Sequence, residues 1–238
     1  MSDREAKGGA MILVTDRDMA MIEWLGLVRM ASMDTLRYAL AGLSGAGEPV
    51  SLRRAQQWVS RMREVELVDR SRPVLRDGSV VWATPLAIGR PAPKLLRQTM
   101  RHEMAVSAAA ARYLFNGFTW RRDRIAAHLT DHQADGVAMK DGRTHLVEIE
   151  LTPKALGRYR IICASHSNRL EAGEITDVIY LSTIDAARAV TRQADKLIFR
   201  TIRPQLRSLV AFDARGAWVG GNGIGELFAS LPSAEIRA

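Results

Sequence analysis

Residues 132–159 read HQADGVAMKDGRTHLVEIELTPKALGRY, and this stretch decides the fold predicted for the 238-residue chain. Asp141-Gly142 separates two runs, 133–139 and 144–151, in which apolar and polar residues alternate. Alternation on both sides of an Asp-Gly pair predicts two antiparallel strands joined by a tight turn. We therefore expect a β-hairpin at the centre of the chain.

Three carboxylates fall on this hairpin. Alternation places Glu148 and Glu150 on one face of the second strand, with Val147 and Ile149 on the other. Asp135 lies near the start of the first strand, where pairing across the turn brings it towards the two glutamates. Crowded carboxylates repel each other, and a proton, a basic neighbour or a hard divalent cation relieves the repulsion.

Lys154 is the predicted basic neighbour. Thr152-Pro153 is typical of a helix N-cap followed by the first helical position, which puts Lys154 in the first turn of a helix. Paired carboxylates and a nearby lysine are the groups that metal-assisted phosphodiester hydrolysis uses. We expect the three carboxylates to bind Mg²⁺ or Mn²⁺ and the lysine to orient the water or the phosphate. A solvated strand face with ordinary surface charges is the alternative.

Composition narrows the class of protein. The single cysteine, Cys163, excludes an intramolecular disulfide framework and favours a reducing cytoplasm. No apolar run approaches the roughly 20 residues of a membrane span. The net charge of +8 favours a polyanionic partner. We therefore expect a soluble, cytoplasmic protein without a membrane partner.

The front of the chain predicts three helices and a hairpin. Thr15, Ser32 and Ser51 precede apolar residues at helical spacing, as N-caps do. The third helix is expected over 52–65, followed by strands over 67–72 and 79–82 around Asp77-Gly78. This order is that of a winged helix, in which the third helix enters the major groove of DNA.

The outer face of the third helix carries the side chains that bond base edges and phosphates. Its predicted inner face is Leu52, Ala55, Val59 and Met62. The expected DNA contacts on the helix are Arg53, Arg54, Gln56, Gln57, Arg61 and Arg63. Those on the wing are Arg70, Arg72 and Arg76. One alternative is a solvated helix face on a winged domain that binds protein. Another is a protein-interaction module, which burial of the face from Arg53 to Arg63 would favour.

The predicted fold class is a two-domain α+β protein. A disordered tail over 1–14 precedes the winged helix-turn-helix domain over 15–89, and Arg90-Pro-Ala-Pro93 marks the boundary. The second domain, 94–213, is followed by a tail over 214–238. Its expected elements are a helix from 94 to 115, a strand over 118–124, the central hairpin, a helix over 153–170, a strand over 178–183 and a helix over 184–196. That order is typical of a restriction-endonuclease-like α/β core.

Residues 15–200 resemble the replication-relaxation family of plasmid and mobile-element proteins, which join a winged helix to a PD-(D/E)XK nuclease-like domain. The resemblance is carried by four short motifs: His102-Glu103 opening an alanine-rich helix, Ala134-Asp135-Gly136, Val147-Glu148-Ile149-Glu150, and a basic helix near Tyr159. It implies Glu103, Asp135, Glu148 and Glu150 as site and metal-binding residues. It also implies a role in DNA replication, relaxation or mobilisation.

Two departures from the family pattern leave catalysis open. Ala134 replaces a proline, and Glu150 stands where an active nuclease of this superfamily carries lysine, so Lys154 would have to act from the following helix. One hypothesis is an Mg²⁺-dependent endonuclease or nickase. The other is a catalytically inactive transcriptional regulator or accessory DNA-binding factor. Double-stranded DNA is the expected partner; a homodimer and a protein partner in DNA processing stay open.

Five further residues are considered for the site. His128 and His132 are expected to be exposed loop histidines rather than a metal pair. His102 either orients the site or packs at the start of its helix. Tyr159 is a candidate phosphate contact, and Cys163 is expected to be a packed thiol.

Overall fold

The structure is a computed structural model that describes residues 12–72, 78–96, 99–128, 131–221 and 224–225. Within these residues the chain is a mixed α+β protein with seven α-helices and two sheets. Residues 1–11 of the expected tail lie outside the described residues, and so do Arg76 and Asp77 of the expected wing turn.

The first unit begins with three helices: α1 (Asp16–Val28), α2 (Met33–Leu43) and α3 (Leu52–Glu64). The three predicted caps are confirmed. Thr15 and Asp18 form a reciprocal capping box, and the hydroxyls of Ser32 and Ser51 each accept a backbone N–H bond from three residues further on. These caps fix where each helix begins.

A three-stranded antiparallel sheet completes the first unit. Its strands are β1 (Ala31–Ser32), β2 (Val68–Ser71) and β3 (Val80–Ala83), in the order β1-β3-β2. The β2–β3 pair is the predicted hairpin, whereas β1 is too short to show in the sequence. A short helix, α4 (Pro85–Ile88), follows. The inner face of α3 contains Trp58, while Leu52, expected inside, is 50% exposed because it sits at the open first turn.

The second unit is built on a five-stranded sheet. Its elements are α5 (Met100–Phe115), β4 (Thr119–Arg121), β5 (Gly136–Lys140), β6 (Arg143–Glu150), α6 (Leu156–Glu171), β7 (Asp177–Ser182), α7 (Ile184–Leu197), a 3₁₀ turn (Arg203–Gln205) and β8 (Leu206–Val210). Strand order follows chain order from β4 to β8. The first two pairings are antiparallel and the last two are parallel.

The predicted central hairpin is β5–β6. Asp141 and Gly142 form its turn, both with positive φ, which is why an Asp-Gly pair suits this position. Helix α5 covers one face of the sheet, against Val147 and Ile149, and α6 and α7 cover the other, against Leu146. The side chains of β6 therefore separate onto two different cores, as alternation predicts.

Two helix starts differ from the sequence expectation. Helix α5 begins at Met100 rather than at Lys94. Helix α6 begins at Leu156, after an N-cap at Ala155, rather than at Pro153. Lys154 is therefore in the loop between β6 and α6 and not in a first helical turn. A hydrogen bond from the backbone N–H of Lys154 to the Tyr159 hydroxyl, at 3.1 Å, stabilises this loop.

The two units share one apolar core, in which α2 packs against α5. The helices approach so closely that a Cβ on Gly42 would lie 2.7 Å from the carbonyl carbon of Leu114. Beside this contact the buried Arg112 pairs with Asp34 at 2.9 Å. Its guanidinium also lies over the ring of Trp218, which is in the segment after β8. Part of the expected C-terminal tail thus packs on the core.

Within the described ranges of the chain, no helix is both long enough and apolar enough to span a membrane.

Candidate functional site

Both glutamates of β6 are buried. Glu148 is 3% exposed and Glu150 is 1% exposed, and their side chains lie with Leu146 on the α6 side of the sheet. The alternative of a solvated strand face is therefore wrong for these two residues. A buried carboxylate needs hydrogen-bonding or charged partners, because burying a polar group without them costs about 1–3 kcal/mol, and more when the group is charged.

The partners of Glu148 are two histidines. Its Oε1 atom lies 2.7 Å from Nε2 of His132 and 3.3 Å from Nε2 of His166, and the latter nitrogen is also 3.1 Å from the Tyr180 hydroxyl. Burial acts to raise the pKa of Glu148, but the bonds from the two imidazoles outweigh it and lower the pKa to about 2. Glu148 is therefore ionised at neutral pH.

His132, Glu148 and His166 form a buried group that could hold a metal ion, since one ligand atom of each lies within 4.8 Å of the others. Two imidazole nitrogens and one carboxylate suit zinc- or iron-class ions, whereas Mg²⁺ prefers oxygen ligands. This donor set does not fit Mg²⁺.

The surroundings of His132 also oppose metal binding. An arginine can only donate, so Nη2 of Arg158, 3.3 Å away, makes Nδ1 of His132 an acceptor and leaves the ring proton on Nε2. A metal-binding histidine instead donates its second N–H to an acceptor. The imidazole of His132 is therefore arranged to donate a hydrogen bond to Glu148.

Glu150 is bonded to Lys154 and Tyr159. The lysine ammonium pairs with Oε2, and the Tyr159 hydroxyl donates to Oε1 at 3.0 Å. The expected approach of Lys154 to the carboxylates is confirmed, although it comes from a loop. Burial lowers the pKa of Lys154, and the charges of Glu148 and Asp135 oppose that shift. Tyr159 is buried, so its expected role as a phosphate contact is wrong.

Asp135 immediately precedes β5. The strand register pairs Gly136 with Val147, which sets Asp135 across from Glu148. Its Oδ2 accepts the backbone N–H of Ile149 at 2.8 Å, and its Oδ1 lies 2.7 Å from Nε2 of His102. His102 thus orients Asp135, which was one of its two expected roles.

Glu103 is on a different surface from the β6 glutamates. Its carboxylate pairs with Arg29 of the first unit at 3.5 Å. It lines a cleft of about 610 Å³ together with His102, Arg90 and Arg122. Among the described residues, the one cluster with metal-ligand spacing is the His132–Glu148–His166 group, and it contains neither Glu103 nor Asp135.

Most of the expected DNA contacts are exposed. The exposed ones are Arg53, Arg54, Gln56, Gln57 and Arg63 on α3 and Arg70 and Arg72 on the wing. Arg61 differs, because its Nη2 lies 2.5 Å from the buried carboxylate of Asp18 and its Nη1 donates to the Leu13 carbonyl. Arg61 therefore holds the start of α1 against α3.

Sequence reasoning missed the two histidines beside Glu148. His132, expected to be exposed, is 8% exposed. His166 belongs to no local motif, but Tyr159, Ile162 and His166 recur at helical spacing on the buried face of α6. A histidine within an apolar helical stripe, opposite a glutamate on a neighbouring strand, was the available signal. Cys163 on the same face is buried, and burial raises its pKa to about 11, as expected for a packed thiol.

Comparison of the chain with protein-family models, curated proteins and solved structures gave no match. The resemblance to the replication-relaxation family stays a prediction carried by its short motifs.

Proposed function

We propose that this protein binds double-stranded DNA through the outer face of α3 and the β2–β3 hairpin. The observation that carries the proposal is the exposed row of arginine and glutamine side chains on α3. Its opposite side, with Ala55, Trp58, Val59 and Met62, is buried in the core. Arginine and glutamine bond guanine and adenine edges bidentately, and additional arginines neutralise phosphates.

The arrangement around α3 supports a winged helix. Three helices precede the hairpin, β1 closes the sheet against β3, and the exposed Arg70 and Arg72 lie at the end of β2. In this class the third helix enters the major groove and the hairpin contacts the backbone. Arg53, Arg54 and Arg63 on α3 are exposed, so the burial of this face that would have favoured a protein-interaction module is not observed for them.

We further propose a restriction-endonuclease-like class for the second unit. Helix α5, three antiparallel strands, α6 and a parallel strand follow one another in the order expected for it. With the sequence resemblance, this favours a role in DNA processing by a plasmid or mobile element, in the cytoplasm. A second copy of the chain or a protein of DNA processing is a further proposed partner.

A nuclease that uses Mg²⁺ or Mn²⁺ is the second candidate function. It is favoured by the cross-strand position of Asp135 and Glu148 and by the nearby Lys154. The contacts of the other carboxylates oppose it, because Asp135 is hydrogen-bonded through both oxygens, and Glu150 accepts a hydrogen bond from Tyr159 and forms an ion pair with Lys154. We therefore favour an accessory or regulatory DNA-binding protein over a DNA-cutting enzyme.

The DNA-binding test compares the double variant Arg53→Ala/Arg54→Ala with Arg188→Ala in a fluorescence anisotropy titration of duplex DNA. Arg188 is a matched control because it is also an exposed helix arginine but lies on α7. We expect the double variant to bind at least about tenfold more weakly, since a phosphate or base contact contributes about 1–3 kcal/mol. Equal affinities of the two variants would refute α3 as the DNA contact.

Cleavage is tested with the same DNA in a plasmid. Wild type, Asp135→Ala and Glu148→Ala are incubated with Mg²⁺ or Mn²⁺, and nicked and linear products are measured. We expect no cutting by any of them. Metal-dependent cutting by wild type that both substitutions abolish would establish the nuclease instead.

A further inference from the structure

A cleft separates the first unit from the start of α5. Residues of α1 and α4 form one wall and residues of α5 and the β4–β5 connection form the other, enclosing about 610 Å³. We call it the junction cleft and define it by Leu27, Arg29, Arg90, His102, Glu103 and Arg122. Its volume is that of sites that bind ligands of nucleotide size, about 300–1,000 Å³.

The charged lining of the junction cleft is predominantly basic. Arg29, Arg90 and Arg122 are the cationic side chains of this lining. Glu103 is the acid among the lining residues, and it is paired with Arg29 at 3.5 Å. A concave surface lined by one sign of charge concentrates the field within it and attracts ions of the opposite sign. The cleft therefore favours an anion.

One of the cationic side chains, Arg122, is fixed in place. Arg122 donates through Nε to the Leu27 carbonyl at 3.0 Å and through Nη1 to the Asp135 carbonyl at 3.4 Å. These bonds connect both units and do not use Nη2. A fixed donor loses less conformational freedom on binding than a flexible one.

Helix α5 adds to the same field. It starts at Met100, and Thr99, which lines the cleft, makes no side-chain capping bond. The positive end of the helix dipole therefore faces this region, where Glu103 is the acidic residue of the first turn. By itself this would not define a site, but it acts in the same direction as the arginines.

We propose that the junction cleft binds a phosphate ester, with Arg122 and Arg90 contacting the phosphate oxygens. Planar guanidinium groups bind phosphate oxygens bidentately. The phosphate belongs either to a free nucleotide or to the 5′ end of a DNA strand, and both share this chemistry. The proposal does not depend on DNA binding by α3, because the two surfaces have no residue in common.

Isothermal titration calorimetry of the full-length protein tests this binding. The probes are inorganic phosphate, adenosine 5′-monophosphate and adenosine, followed by short single strands with a 5′-phosphate or a 5′-hydroxyl. We expect adenosine monophosphate to bind and adenosine not to bind. Tighter binding of the phosphorylated strand than of the hydroxyl strand would assign the site to DNA ends, and equal binding of the two strands would assign it to free nucleotides.

Substitutions locate the site. Arg90→Ala, at an exposed position, and Arg122→Met should each weaken adenosine monophosphate binding about tenfold or more, the effect of losing one charge-assisted bond. Arg188→Ala and Arg53→Ala/Arg54→Ala should leave it unchanged. Failure of every phosphate probe to bind, or equal affinities of Arg90→Ala and Arg188→Ala, would overturn the proposal. Neither result would affect the anisotropy test of α3.

Discussion

Two arginines on the same helix should respond to alanine substitution in opposite ways. Arg61 is bonded to Asp18, which is fully buried and also accepts the Trp58 indole N–H at 2.9 Å. Burial acts to raise the pKa of Asp18, but the bonds from Thr15, Arg61 and Trp58 outweigh it and lower the pKa to about 2. The carboxylate is thus ionised in the core, and Arg61→Ala removes its counter-charge.

The expected loss follows from this geometry. A hydrogen bond to a charged group contributes about 1.5–3 kcal/mol, and the 35% exposure of the Arg61 side chain places the effect towards the lower half of that range. For a chain of this size, each kcal/mol lowers Tm by about 2–4 °C, so we expect a fall of about 3–8 °C. Arg54→Ala, at an exposed position, should change the unfolding free energy by less than about 0.5 kcal/mol.

DNA binding should show the reverse order. Removing one phosphate contact reduces the slope of log K against log salt by about 1. We expect this change for Arg54→Ala and not for Arg61→Ala, measured by anisotropy titrations between low and physiological salt and compared with urea denaturation of the same samples. The reasoning would be refuted if Arg61→Ala left the unfolding free energy unchanged, or if it reduced the slope as much as Arg54→Ala.

Three further predictions concern stability and reactivity. The pKa of Glu148 in the folded protein is below its ordinary value of 4.5, so its ionised form stabilises the fold. This stabilisation should be complete above pH 4.5 and should be lost as the pH falls towards 2. Urea denaturation across this range should show a steeper loss of stability for wild type than for Glu148→Gln. Gly42→Ala should lower the free energy of unfolding by about 1–3 kcal/mol, because the added Cβ would meet the Leu114 backbone where α2 packs on α5. Gly157→Ala on α6, where the added Cβ would have open space, should leave the free energy of unfolding unchanged or raise it in the same assay. Burial raises the pKa of the Cys163 thiol to about 11 from an ordinary 9, so it should form about 100-fold less thiolate than a free cysteine. We expect it to react with a disulfide reagent only after unfolding. Rapid labelling of the folded protein would contradict this burial.

Local signals in the sequence predicted much of the framework. Thr15, Ser32 and Ser51 each satisfy backbone N–H groups within three residues, so a cap can be identified without knowing the fold. The Asp141-Gly142 turn and the alternation after it depend only on neighbouring residues in the same way. These signals located the first three helices and both strands of the central hairpin.

Interactions between distant segments explain the rest. Pro153 suggested a helix start, but the hydroxyl of Tyr159 binds the Lys154 backbone and keeps that segment out of the helix. His132 had the local appearance of a loop residue, and only the packing of α6 on β6 brings it and His166 to Glu148. Sequence spacing singled out Glu148 but could not identify His132 and His166 as its partners.

The bonds around the carboxylates bear directly on whether the second unit cuts DNA. A metal ion at Glu150 would share the oxygens that Lys154 and Tyr159 contact, and one at Asp135 would share those that bond His102 and the Ile149 N–H. These partners compete with a cation for the negative charge of each carboxylate, although each oxygen keeps a second lone pair. The ammonium group of Lys154 is itself held against Glu150. These bonds hold β5, β6 and α6 together, and our proposal assigns DNA contact to the exposed cations of α3 and the wing.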